Sequence, residues 1–232
     1  MGTFQPGTLG LLSALTLALA TGLAGIEASG SSAPPPGQSP PPAEELAQRI
    51  QARQQTIRDF PANFTETMSS PLLPRPSEER GEIKVKKPGR LRMTYRSGDR
   101  NEFVADGTTL YAHFAKDKYV TRSALPDHDD APTWISFLAG RGDLARDFTA
   151  RLAETQPPGE WQLVLTPRQP QADFRSLTLH VDRASMQLRG LVVVDAQGTT
   201  SLYRFSNLRE NIGLPDREFQ FQVPKGVAVR VM

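Results

Sequence analysis

Residues Ile83 to Phe114 hold four short runs in which apolar and polar side chains alternate, and a run with that period folds as a strand with one oily face and one wet face. Ile83 and Val85, then Leu91, Met93 and Tyr95, share one face, while Lys84, Lys86, Arg90, Arg92 and Thr94 take the other. Pro88-Gly89 reads as the turn between the first two runs, and Asp106-Gly107 as a hairpin turn between the last two. The stretch is therefore an antiparallel meander whose greasy face needs a cover.

Further strands are expected at Ala62 to Met68, Tyr119 to Ser123, Phe148 to Glu154, Trp161 to Pro167, Arg175 to Val181, Leu188 to Asp195, Thr200 to Leu208, Phe219 to Val223 and Val227 to Val231. Against these stand two helices. Glu44 to Asp59 carries a thin apolar stripe of Leu46, Ile50, Ile57 and Phe60 and stops at Pro61, and Trp134 to Ala139 is capped by Thr133. Ser69 to Arg80, with three prolines, reads as a long connection.

Area decides what such a set can build. Eleven such strands side by side already make an apolar face of roughly 1,000 Å², of which the two helices cover roughly 40%. The sheet must curl to hide the rest, giving a closed or half-closed barrel. A curl that wide leaves room for an apolar cavity, with a filled sandwich as the alternative.

The N-terminal 28 residues hold one charged side chain, Glu27, and an apolar run from Leu9 to Ala20, in the manner of a secretory signal cleaved after Ala20; a retained anchor reaching Ile26 is the alternative. Residues 29–43 form a Pro- and Ser-rich linker, leaving 44–232 as a single folded domain. The absence of cysteine removes disulfides, thiolate metal sites and a thiol nucleophile. A net charge of +2, spread along the chain, gives no nucleic-acid footprint. His113, His128 and His180 lack ligand spacing, and no P-loop, nucleophile elbow or dinucleotide fingerprint is present, so the expected protein is not an enzyme and uses no metal or cofactor.

The ordered set Phe60-Pro61-Ala62-Asn63-Phe64-Thr65, Val85-Lys86-Lys87-Pro88, Val104 to Tyr111, Thr133 to Leu144 and Phe219 to Val231 resembles the periplasmic outer-membrane lipoprotein carrier family, LolA. That resemblance implies a mainly β fold, an incomplete antiparallel barrel of about eleven strands with helices as a lid over a hydrophobic cavity. It also implies a monomeric periplasmic carrier that takes lipoprotein acyl chains, or another envelope lipid, from an inner-membrane ABC transporter to an outer-membrane receptor. Regulators of the envelope stress response, which sense lipid or misfolded protein on the same half-barrel, are the alternative; a hydrolase is a distant third. The expected cavity lining is Leu91, Met93, Tyr95, Val104, Leu110, Trp134, Phe137, Leu138 and Phe148. The family places an Arg before the Pro of the first hairpin. Here Lys87 stands there, and it is expected to latch the lid by bonding carbonyls of residues 126–144.

Overall fold

Twelve strands form one sheet in the computed structural model, which describes residues 40–72, 74–125, 134–171 and 174–231. The strands are β1 (Asp59–Ser69), β2 (Ser77–Lys86), β3 (Arg90–Tyr95), β4 (Glu102–Asp106), β5 (Thr109–Phe114), β6 (Tyr119–Ala124), β7 (Phe148–Leu152), β8 (Glu160–Pro167), β9 (Ser176–Asp182), β10 (Leu188–Val194), β11 (Thr200–Ser206) and β12 (Ala228–Val231). Their spatial order is β12-β6-β5-β4-β3-β2-β1-β11-β10-β9-β8-β7. The sheet does not close: β12 and β7 remain its edges, as in a half-barrel. Among the described residues three α-helices accompany it, α1 (Ala43–Gln55), α2 (Trp134–Leu138) and α3 (Leu144–Asp147). The proposed signal and most of the linker lie outside the described residues, as do the 126–132 loop and the Thr133 cap.

The meander is present as β2 to β5, with Pro88-Gly89 and Asp106-Gly107 at its turns. Register sorts the side chains. Ile83 pairs with Met93 and Val85 with Leu91, all fully or nearly fully buried on the concave side. The second half repeats the pattern in β8 to β11, where Leu163, Leu179 and Leu191 stand in line across three strands.

Several elements depart from the sequence reading. Helix α1 ends at Gln55, because the Thr56 hydroxyl folds back onto the Arg53 carbonyl and the backbone turns. Phe60 and Pro61 therefore belong to β1. Pro61 is tolerated in the strand because pairing with β11 starts only at Asn63. The Ser69 to Arg80 connection is shorter than expected, since β2 begins at Ser77 and its polar start pairs with the far end of β1. Helix α3 was not expected. Asp143 caps it, its carboxylate accepting from the Ala145 and Arg146 amides at 2.9 Å each.

The largest departure is at the C-terminal end. The alternation of Phe219 to Val223 is not a strand: Asp216–Phe219 is a 3-10 turn, and the chain beyond it crosses the convex face of the meander. Phe219 is buried there and Phe221 stacks on Tyr111 at 5.1 Å. Ionic contacts hold this strap, Lys84 to Glu218 at 2.6 Å and Lys86 to Asp216 at 2.5 Å, and Arg92 donates to the Glu218 carbonyl at 3.0 Å. The strap ends as β12, which pairs with β6 in parallel, the one parallel pairing among the described strands. Its other end is tied by Asp59, a buried carboxylate that accepts from the Ile212 and Gly213 amides at 3.0 Å each.

Asp59→Ala would leave both amides without their charged partner. It should cost about 1–3 kcal/mol in urea denaturation, with the strap residues losing hydrogen-exchange protection before the meander does.

Candidate functional site

The concave side is the candidate site. It is lined by alternate residues from each strand and roofed by α1 and α2. Leu91 and Met93 on β3, Leu110 on β5, Phe148 at the start of β7, and Phe137 and Leu138 on α2 all join one apolar cluster. Tyr95 belongs to the same cluster, and Trp134 packs against it with its ring stacked on Tyr203 at 5.3 Å. From the roof, Leu46 and Ile50 of α1 reach down and are fully buried. In this conformation the helices' own side chains occupy the hollow of the sheet.

Val104 is the exception among the expected lining residues. It is fully buried, but it pairs with Arg92 and so faces the convex side, beneath the C-terminal strap. The concave residues of β4 are Phe103, opposite Met93, and Ala105, opposite Leu91. The loop between β3 and β4, where Arg100 takes a positive φ of 54°, sets this parity. Shifting a strand by one residue exchanges its faces, and the alternation within β4 alone does not say which face is inward.

Lys87 also sits differently from expectation. Its Nζ donates to the Gln54 carbonyl at 2.7 Å and to Gln54 Oε1 at 3.0 Å, which ties the hairpin to the end of α1; residues 126–133 of its expected partner segment lie outside the described residues. Within the described residues 134–144, other groups also bond the meander. The Gly89 amide donates to the Ala139 carbonyl at 2.8 Å, and Arg141 donates to the Gly107 carbonyl. The stem of Lys87 lies over Gly140, where a Cβ would come within 2.5 Å of it and where φ is +76°. Both hairpin tips thus grip the chain just after α2, and Lys87 grips α1.

The sequence reading missed a polar group on this face. Glu66 on β1 is 8% exposed, and its carboxylate accepts from the Tyr95 hydroxyl at 2.5 Å. Tyr95 in turn lies 3.3 Å from the Tyr203 hydroxyl, and Phe64 meets both rings edge-on. Burial, then the neighbouring phenol and carboxylate, push the Tyr95 hydroxyl far above its ordinary value, and burial and Glu66 raise Tyr203. Gly81 makes the space for Phe64: a Cβ there would come within 2.5 Å of its ring. Glu66, Tyr95, Met68 and Phe103 border a hollow of about 280 Å³ that opens at the rim and also receives Glu79 and Asp99. Among the described residues, no three His, Asp or Glu side chains are placed to hold a metal. His180 bonds Gln162 and lies near Glu160 on the convex side.

Comparison with known proteins decides the family. The model of the outer membrane lipoprotein carrier protein LolA matches residues 55–222. The chain belongs to this family. Relatives include the outer-membrane lipoprotein carrier protein of Actinobacillus succinogenes, 24% identical over 78% of this chain and 84% of its own length. That of Ralstonia nicotianae is 31% identical over 64% of this chain and 67% of its own. An uncharacterized conserved protein of Thermus thermophilus shares the fold with a TM-score of 0.50 at 14% identity, over 80% of this chain and 99% of that one. The LolA assignment covers the sheet from the end of α1 to the strap, including both hairpin tips.

Burial lowers the Lys87 ammonium from near 10.5 to about 8. Between those values the unfolded chain binds more protons than the folded one, so this side chain favours folding increasingly as pH rises from about 8 toward 10.5. Below 8 its burial penalty is complete and constant. Relative to Lys87→Met, the unmodified chain should gain on the order of 1–2 kcal/mol of stability between pH 8 and pH 10. Paired denaturation curves at the two pH values check it.

Proposed function

We propose that the chain is a periplasmic carrier that takes the acyl chains of lipoproteins, or of another envelope lipid, on its concave face and moves them from the inner to the outer membrane. The observation that carries this reading is the roof. Leu46, Ile50, Phe137 and Leu138 fill the apolar hollow with side chains that belong to the helices and not to the sheet. Swinging those helices aside and admitting acyl chains exchanges one apolar surface for another, so the sheet face stays dry in both states. Exposing three chains of roughly fifteen methylenes to water would cost on the order of 30 kcal/mol. A lipoprotein therefore needs such a shelter to cross the aqueous space.

The expected lining, without Val104 and with Phe103 and Ala105 in its place, is the acyl-contacting surface of this proposal. Met93, an unbranched and polarizable side chain at the middle of the face, adapts to chains of differing shape. The hold on the roof is light. Helix α2 is five residues long, and among the described residues it is held, besides its apolar packing, by the Trp134 stack and, just behind it, by the bonds from Gly89 to Ala139 and from Arg141 to Gly107. No catalytic group enters this mechanism. The partners are those the family implies, a lipoprotein-releasing ABC transporter at the inner membrane and a receptor at the outer membrane. The export signal over residues 1–28 would deliver the chain to the periplasm between them.

Two measurements test the reading. Organic extracts of the chain purified from periplasm should contain lipid or acylated protein by mass spectrometry. Absence of both, with no uptake from an inner-membrane fraction, would overturn the proposal. In a Trp161→Phe variant, Trp134 is the one remaining tryptophan, and its fluorescence should change as it leaves Tyr203 when lipoprotein is added. An unchanged spectrum with bound cargo would show that α2 does not open.

A further inference from the structure

Three acidic or basic side chains among the described residues are buried: Asp59, Glu66 and His180. Asp59 pairs across from Lys86 and His180 from Gln162, which places both on the convex side. Glu66 pairs with Tyr203 and Glu79 and is the one that faces the concave side, beside Phe64 and Tyr95. A carboxylate on an oil-lined wall costs desolvation, which the bond from Tyr95 offsets. Replacing such a group with an apolar one of similar volume is often neutral or stabilising.

We infer that Glu66, held in position by Tyr95 and Tyr203, is a specificity subsite for the polar head of the acyl cargo, and that it selects heads that donate a hydrogen bond. The inference rests on the carrier reading and goes further by naming what distinguishes one acyl cargo from another. A carboxylate accepts only and has room for about four hydrogen bonds. Tyr95 fills one, at 2.5 Å. Beside it lies the rim hollow of about 280 Å³, with Met68 and Phe103 as its apolar border. A chain lying along Leu91 and Met93 would continue past Tyr95 into this hollow, since the three alternate on one strand face.

The other groups at the hollow sharpen the selection. Glu79 and Asp99 border it too, and the Glu79 carboxyl is raised by burial and by the proximity of Glu66 and Asp99. A fatty carboxylate brought here would meet like charge. A simple ester offers acceptors alone, which the three carboxylates cannot use, so only the Ser77 hydroxyl and Asn101 amide at the hollow's edge could donate to it. An amide N–H, a hydroxyl or an ammonium group offers what the carboxylate lacks. The class selected is thus an acyl chain whose head carries an N–H or O–H, as opposed to an ester or an acid of the same length.

The test compares oleamide with methyl oleate, each delivered from cyclodextrin and read by displacement of a pyrene-labelled alkane from the full chain. Oleamide should bind about tenfold more tightly, the worth of one hydrogen bond to a charged group. In Glu66→Leu the preference should fall to about unity, with methyl oleate bound as well as before or better. Glu66→Gln keeps the shape and an acceptor without the charge, and should retain a preference of only about two- to threefold. Equal binding of the two probes by the unmodified chain, or a tenfold preference surviving in Glu66→Leu, would overturn the subsite while leaving the carrier reading in place. Failure of both probes to displace the alkane would overturn the carrier reading and the subsite with it.

Discussion

Everything in this molecule answers to an apolar sheet face that is too wide for its helices. Twelve strands present Ile83, Leu91, Met93, Leu163, Leu179 and Leu191 on one side, and burying each such side chain is worth about 1.5–3 kcal/mol. A thirteen-residue helix and a five-residue one cannot roof a flat sheet of that width. The sheet curls, and the helix side chains drop into the curl. A roof made of a few inserted side chains is also one that another apolar body can displace, which links the packing of the fold to its proposed work.

The two faces are secured by different physics. On the concave side the cover is apolar and, in the proposed mechanism, replaceable. On the convex side the C-terminal strap is fastened by ion pairs with Lys84 and Lys86, by the Arg92 bond to a strap carbonyl, and by the buried Asp59 at its root. These are directional and depend on matched geometry. The strap stiffens the same four-stranded meander whose hairpin tips hold α1 through Lys87 and the chain after α2 through Gly89 and Arg141. In the proposed mechanism, a rigid meander lets the roof move without the wall behind it moving too. Glu66 is the one buried group that mixes the two kinds of physics, a charge set into the replaceable side.

Much of this is legible in the residues themselves. Strict alternation over Ile83 to Tyr95 gave the concave face of β2 and β3 correctly, because a two-residue period with a charged partner face admits one assignment. Val104 failed where that condition fails: in Glu102 to Asp106 the flanking Phe103 and Ala105 are apolar as well, and both faces of β4 are covered, one by the core and the other by the strap. Phe219 to Val223 failed for a related reason. Its alternation is real, but Phe219 and Phe221 plug into the convex surface of other strands and do not pair as a ladder. The Glu66 cluster was invisible because its three members lie 29 and 108 residues apart along the chain.

By itself the sequence determined an antiparallel sheet with a surplus of apolar face, since alternation, turn dipeptides and the helix-to-strand balance are all local properties, and it left a hollow curl and a filled sandwich both open. It also placed the chain among lipoprotein carriers, through motifs in a fixed order. Only the tertiary structure decided which face Val104 takes, that Lys87 holds α1, that the C-terminal run is a strap, and that Glu66 meets two tyrosines inside the oily wall. These depend on register and on contacts across long loops, where the energy of a position is set by whatever the rest of the fold brings against it.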